Sequence, residues 1–278
     1  MKILLLLLAL IAGAVRAEQP HTLTGDIRTH KSFPSLFLGR DRDILVYLPP
    51  GYETDPSRRY PVLYLHDGQN LFDGATSFIP GQEWRVDETA QALIEQGRIR
   101  PLIIVGIYNT DRRVDDYTQS FSWKLLKGGN ADLYGRMIAE ELKPFIDRTY
   151  RTLPNDTGLG GSSLGGLVSL HLGITYPELF TRLAVISPSV WWGDRHLLRE
   201  VEALPEKTAA RIWVDIGTQE GSRGEETVEE TRMLRDALVA KGWVLDQDLG
   251  YFEDEGAHHN EAAWAGRFDR VLQFLYPP

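Results

Sequence analysis

The chain has 278 residues, a formal net charge of −9, 42% hydrophobic residues and no cysteine. An acidic balance of this size argues against nucleic acid or an anionic membrane surface as a partner. The lack of cysteine excludes disulfides, thiolate metal sites and a lipid-modified cysteine start, so the core alone must hold the fold.

In chain order, Lys2 is followed by an apolar run over residues 3–14 and by Val15-Arg16-Ala17. A positive start, a short apolar stretch and small residues at −3 and −1 predict a secretory signal peptide cut after Ala17. The run is shorter than the roughly 20 residues that span a bilayer. Losing Lys2 and Arg16 takes the charge from −9 to −11. Residues 18–278 are then expected to form a single domain, exported to the periplasm or beyond, with no membrane contact after cleavage.

Two extended runs around Gly39-Arg40-Asp41 predict an antiparallel hairpin over residues 33–49. Continuous apolar runs follow at residues 61–66, 101–107, 157–161, 183–187 and 211–216, as expected of strands buried on both faces. Helical spacing recurs at Val86, Ala90, Leu93 and Ile94, over residues 225–241 with Gly242 as a stop, and at Trp264, Phe268, Val271, Leu272 and Leu275. The alternation predicts an α/β fold. Its sheet is mostly parallel and doubly wound, with helices on both faces and functional groups at the carboxyl ends of the strands.

Between the third of these apolar runs and an apolar helix, Gly161-Ser162-Ser163-Leu164-Gly165 fits G-x-S-x-G. A nucleophilic serine needs a sharp strand-to-helix turn that lifts Oγ clear of the backbone, and the flanking glycines leave room for it. The helix dipole and the N–H of Leu164 then favour a developing oxyanion. A dinucleotide cradle would put its third glycine at Ser163, and no P-loop lysine follows.

A serine needs a base, and the base an orienting acid, in the chain order Ser, acid, His. His171 lies inside the helix after the serine, and His196 precedes any good acid. His258 and His259 sit in a polar loop before the last helix, and the residues themselves do not choose between them. Glu220 follows the strand at 211–216 in a glycine-flanked loop. The rival Asp215 lies within that strand, where its side chain would need a buried partner.

The loop Asp67-Gly68-Gln69-Asn70 after the strand at 61–66 is placed to supply a second oxyanion amide, that of Gln69. Of Trp191 and Trp192, one is expected in the core and the other in a substrate pocket. Arg113 and Tyr117, with Arg112, are expected to meet a polar or aromatic part of the substrate. His66, Asp67, His258 and His259 lack metal-ligand spacing, so neither metal nor cofactor is expected.

The chain resembles the esterase family that includes enterochelin esterases and feruloyl esterases. The resemblance rests on residues 62–72, 141–147, Gly160–Gly166, Ser187-Pro188-Ser189-Val190-Trp191-Trp192, Gly217-Thr218-Gln219-Glu220 and His259-Asn260-Glu261-Ala262-Ala263-Trp264. It implies the α/β-hydrolase type of this fold and His259 as the base, and supports Glu220 as the acid and the Gln69 amide as an oxyanion donor. It implies a small-molecule ester as substrate, such as a siderophore lactone or a feruloyl or acyl sugar ester, cleaved through an acyl-serine. The same triad could instead transfer acyl groups, and a protein that kept the fold without its chemistry would be a binding protein.

Overall fold

The computed structural model describes residues 20–221 and 224–278, so the expected signal peptide lies outside the described residues. An eight-stranded sheet runs in the order β1-β2-β4-β3-β7-β8-β9-β10. Its strands are β1 (Asp26–Phe33), β2 (Arg42–Leu48), β3 (Tyr60–His66), β4 (Ile103–Ile107), β7 (Thr152–Ser162), β8 (Arg182–Ile186), β9 (Arg211–Gly217) and β10 (Leu249–Asp254). The pairs β1–β2 and β2–β4 are antiparallel, and from β4 onward every pair is parallel. A small hairpin, β5 (Phe121–Ser122) and β6 (Lys127–Gly128), stands apart from this sheet.

Both faces are covered, as the continuous apolar runs require. Along β3 the side chains alternate between two cores: Val62 and Tyr64 enter one, Leu63 and Leu65 the other. The second core is closed by α1 (Val86–Glu95) and α8 (Glu261–Leu275). The first lies under α3 (Ala131–Arg136), the π-helical turn Met137–Leu142, α5 (Leu164–Thr175), α6 (Trp192–Ala203) and α7 (Gly224–Ala240). The short helices α2 (Arg113–Asp116) and α4 (Lys143–Thr149) complete the chain. Helix α5 is buried from Leu164 to Gly173, which explains why it is apolar all round rather than amphipathic. Among the described residues no helix is long and apolar enough to cross a membrane.

The expected hairpin is shifted. Its first strand is 26–33, and residues 34–41, read as extended up to Gly39, form the connection. Strand β1 is an edge strand with a largely polar, half-exposed sequence, so it carries no apolar alternation to read. The last helix starts where expected. Asn260 caps it by accepting from the Ala263 N–H at 2.9 Å, which leaves His259 free of a capping role.

Candidate active site

Strand β7 ends at Ser162 and α5 begins at Leu164, so Ser163 alone makes the turn. Its backbone sits at φ 60°, ψ −122°, a conformation that costs on the order of 1–3 kcal/mol for a non-glycine residue. Hydrogen bonds over-determine it. The Ser163 N–H donates to Ile186 O at 3.0 Å, and its carbonyl accepts from Ser189 and Leu167 at 3.1 Å each. The flanking glycines meet across the bend: a Cβ on Gly161 would lie 3.1 Å from the Gly165 backbone. The Ser163 hydroxyl is shared with the Ser189 hydroxyl at 3.3 Å. Leu164 opens α5, where first-turn amides have no partner within the helix.

Two cavities meet at this serine. One, of about 320 Å³, is lined by Ser163, Ser189, Trp191, Glu220, Thr227 and His259, among others. The second, of about 380 Å³, includes Gln69, Phe78, Asn109, Arg113, Ser163, His259 and Trp264 in its wall. Ser163 and His259 border both, so a bond held between them could carry one substituent in each cavity.

The His259 Nδ1 is 2.6 Å from Glu220 Oε2, and the ring stands edge-on to Trp264 at 5.0 Å. Glu220 is 3% exposed. Its other oxygen accepts from Ser187 Oγ at 2.5 Å, the Gly217 N–H at 2.8 Å and Arg267 at 3.3 Å. Burial alone would raise this carboxyl, but the hydrogen bonds from His259, Ser187 and Gly217 bring it below the usual glutamate range, so it stays charged. His258 is exposed, with Nδ1 3.0 Å from the Gln219 carbonyl. Asp215 turns away from the histidines. It accepts from Trp213 Nε1 at 2.7 Å and Arg267 Nε at 3.0 Å, the buried partner its position in a strand demanded.

Arg267 was missed in the sequence reading. It joins Asp215, Glu220 and Ser187 Oγ (2.6 Å) in a buried cluster, with Asp254 at 3.5 Å on its outer side, and Trp264 Nε1 donates to the same Ser187 hydroxyl at 3.0 Å. A signal existed: Arg267 lies on the apolar stripe of α8, between Trp264 and Val271, where a cation needs a buried anion. Ser187 and Ser189 lie in a stretch that carries the family resemblance, but it gave them no role.

Opposite the acid, Asp67 takes a left-handed backbone (φ 58°, ψ 45°) and leads into a single turn of 3-10 helix at Gly68–Asn70, which exposes the first-turn amide of Gln69. Gly68 is obligatory here, since a Cβ would come within 2.7–2.8 Å of the Gly106 and Ile107 backbone. Asn70 ties the loop to the start of α8, its Nδ2 donating to Glu261 at 3.3 Å.

Arg113, Tyr117 and Arg112, expected to meet substrate, have partners within the protein. Arg113 borders the second cavity, but its guanidinium grips Asp67 bidentately at 2.7 Å per bond, with Asn109 Nδ2 on the same carboxylate. Burial would raise the Asp67 carboxyl, and the Arg113 charge overrides it and lowers it. Tyr117 is fully buried beneath Arg113. Its hydroxyl accepts from the Asp67 N–H at 3.1 Å, because a phenol under a buried loop must satisfy its oxygen locally. Trp192 is buried and donates to the Ser120 carbonyl at 2.9 Å, whereas Trp191 is 39% exposed and lines the first cavity. Arg112 faces outward and pairs with Asp115 at 2.9 Å. His66 points into the core beside Tyr134 (2.8 Å), and burial pushes its imidazole down to about 3, so it remains neutral and apart from the other histidines.

The family model described as "Putative esterase" matches residues 35–275, nearly the whole of the described chain. The chain belongs to this esterase family. The protein is an ester hydrolase of α/β fold. It is similar to YbbA of Bacillus subtilis (strain 168), at 28% identity over 91% of this chain and 97% of the relative. It is also similar to the ferri-bacillibactin esterase BesA of the same organism, at 30% identity over 58% of this chain and 59% of the relative. Among solved structures, the BES protein from Bacillus cereus superposes with a TM-score of 0.72 at 24% identity, covering 94% of this esterase and 98% of that chain, which establishes a shared fold.

Proposed function

We propose that this esterase is an exported enzyme of a single domain (residues 18–278) that cleaves esters through an acyl-serine, with Ser163 as nucleophile, His259 as base and Glu220 as orienting acid. The observation that carries the reading is the 2.6 Å bond between His259 and buried Glu220 on the rim of the two cavities that share Ser163. Glu220 fixes the imidazole with Nδ1 as donor, which leaves Nε2 to accept a proton. In this mechanism the Ser163 hydroxyl turns from Ser189 to that nitrogen. Oγ then attacks the ester carbonyl carbon as its proton passes to His259. The oxyanion is received by the N–H groups of Leu164 and Gln69. The alcohol leaves with the proton from His259, and water repeats the sequence to release the acid and free the serine.

Trp191 offers an aromatic face to the substituent in the first cavity. Relatives named as siderophore esterases point to a small-molecule lactone or ester as substrate, and feruloyl or acyl sugar esters share the same linkage. The test is Ser163→Ala: hydrolysis of a short nitrophenyl ester is expected to fall about 10⁵–10⁶-fold in kcat. Activity close to wild type in that variant, folded by circular dichroism, would end the mechanism.

A further inference from the structure

Exposed large apolar side chains are concentrated on the β5–β6 hairpin. Trp123 is 84% exposed and Leu126 71%, and Leu125 and Phe121 are open as well. Phe121 and Trp123 pack edge to face at 5.1 Å, which presents the aromatic surface as one unit. A cluster of this kind at the tip of a water-soluble domain marks a contact site. The tip also differs in charge from the rest of the chain. Residues 117–131 hold Lys124 and Lys127 and no acid, in a protein of net charge −9. The acids that bracket the segment are paired: Asp115 with Arg112 at 2.9 Å, Asp116 with Arg42 at 3.1 Å, and Asp132 with His171 at 3.1 Å.

The base of the hairpin is built rather than loose. Trp192 Nε1 donates to the Ser120 carbonyl at 2.9 Å, the Gly128 N–H to Asp115 at 2.7 Å and the Gly129 N–H to the Thr118 carbonyl at 3.0 Å. Gly128 fits only as glycine, since a Cβ would meet Ser120 O at 2.6 Å and the Trp192 ring at 2.8 Å. The tip is thus held out by the two elements that border the site: α2, which carries Arg113, and the start of α6, which follows Trp191.

We infer that this hairpin docks the protein on an anionic lipid surface. Trp, Phe and Leu suit the boundary between headgroups and acyl chains, and two lysines beside them suit anionic headgroups. The net negative charge argued against such a partner, but charge acts locally: beyond a Debye length of about 8 Å at physiological salt the acidic remainder is screened. A second copy of the chain is the competing occupant, and the experiment separates the two.

The test uses the intact chain and vesicles of phosphatidylcholine, alone or with phosphatidylglycerol, in a sedimentation assay. The expected result is binding to the anionic vesicles that weakens as salt is raised. Lys124→Gln with Lys127→Gln should lower partitioning roughly 30-fold, taking about 1 kcal/mol per lysine at the surface. Trp123→Ser with Leu126→Ser should abolish it. All four substitutions should leave hydrolysis of a soluble short ester unchanged, which shows that the variants fold and separates this inference from the catalytic reading. Failure of the wild-type chain to bind, or binding indifferent to the hairpin substitutions, would overturn it. So would a light-scattering mass that halves in the Trp123→Ser, Leu126→Ser variant, which would give the tip to self-association.

Discussion

Two arginine–carboxylate assemblies flank Ser163 and work in opposite ways. On the acid side, Arg267 is 1% exposed and sits among Asp215, Glu220 and Ser187, so its charge holds a side chain, that of Glu220, and through it the ring of His259. On the opposite side Arg113, with 29% of its side chain open, holds a backbone: it clamps Asp67 in the left-handed turn that precedes Gln69, whose amide we propose as an oxyanion donor. Removing a partner from the first leaves buried charge with no access to water. Removing a partner from the second strands Asp67 too, but at the wall of an open cavity, where water can reach it and the loop can relax. The first assembly should therefore reveal itself in stability as well as in rate, the second chiefly in kcat.

The comparison can be broken in several places. The largest effect belongs to the acid side: Glu220→Gln keeps the shape but loses the charge and the tautomer it selects, so kcat for a short ester should fall about 10³–10⁴-fold. His259→Ala should be at least as severe and His258→Ala mild, and steady-state assays giving the reverse order would move the base to His258. Next, Arg267→Met should destabilise the fold by about 3–5 kcal/mol in urea titration, because it strands Asp215 and Glu220. A much smaller loss would mean that the cluster is less dry than its burial implies. Arg113→Ala should lower kcat about 10²-fold with KM little changed, the mark of a lost oxyanion donor, and Arg113→Lys should recover part of it. If instead KM rises and kcat holds, Arg113 binds substrate after all.

A further effect, read in pH rather than in rate, lies in a third carboxylate, one with no arginine. Asp87 is buried at the start of α1 beside Glu88, and burial, with that neighbour, pushes its carboxyl up to about 8. The folded form holds a proton that the unfolded chain releases near 4, so this group costs nothing at low pH and costs stability as pH rises through about 4 to about 8. The urea midpoint of the wild type should decline across that window relative to Asp87→Asn. Parallel profiles for the two proteins would remove Asp87 as the cause.

Much of this was legible in the chain itself. Short buried strands alternating with helices, and glycines around one serine, write the parallel sheet and the elbow in local terms, because strand burial and turn geometry depend on residues near in sequence. The same holds for Glu220 and for the paired histidines, which fall in loops just past the strands that carry them. The edge strand β1 was read too late, since a half-exposed strand gives no apolar pattern. The segment between α2 and α4, hairpin included, was not read as elements at all.

The sequence determined by itself where the central strands lie along the chain, the turn at residue 163, and the esterase family. Only the tertiary structure showed the contact of Glu220 with His259, the histidine that the resemblance had implied, and decided that Arg113 and Tyr117 brace the loop at Asp67 and that Arg267 lies behind Glu220. These partners are 39, 46, 50 and 47 residues apart in the chain. Nothing local links them; they meet because the parallel crossovers bring the carboxyl ends of successive strands to one edge of the sheet, where each charge takes the counter-charge within reach.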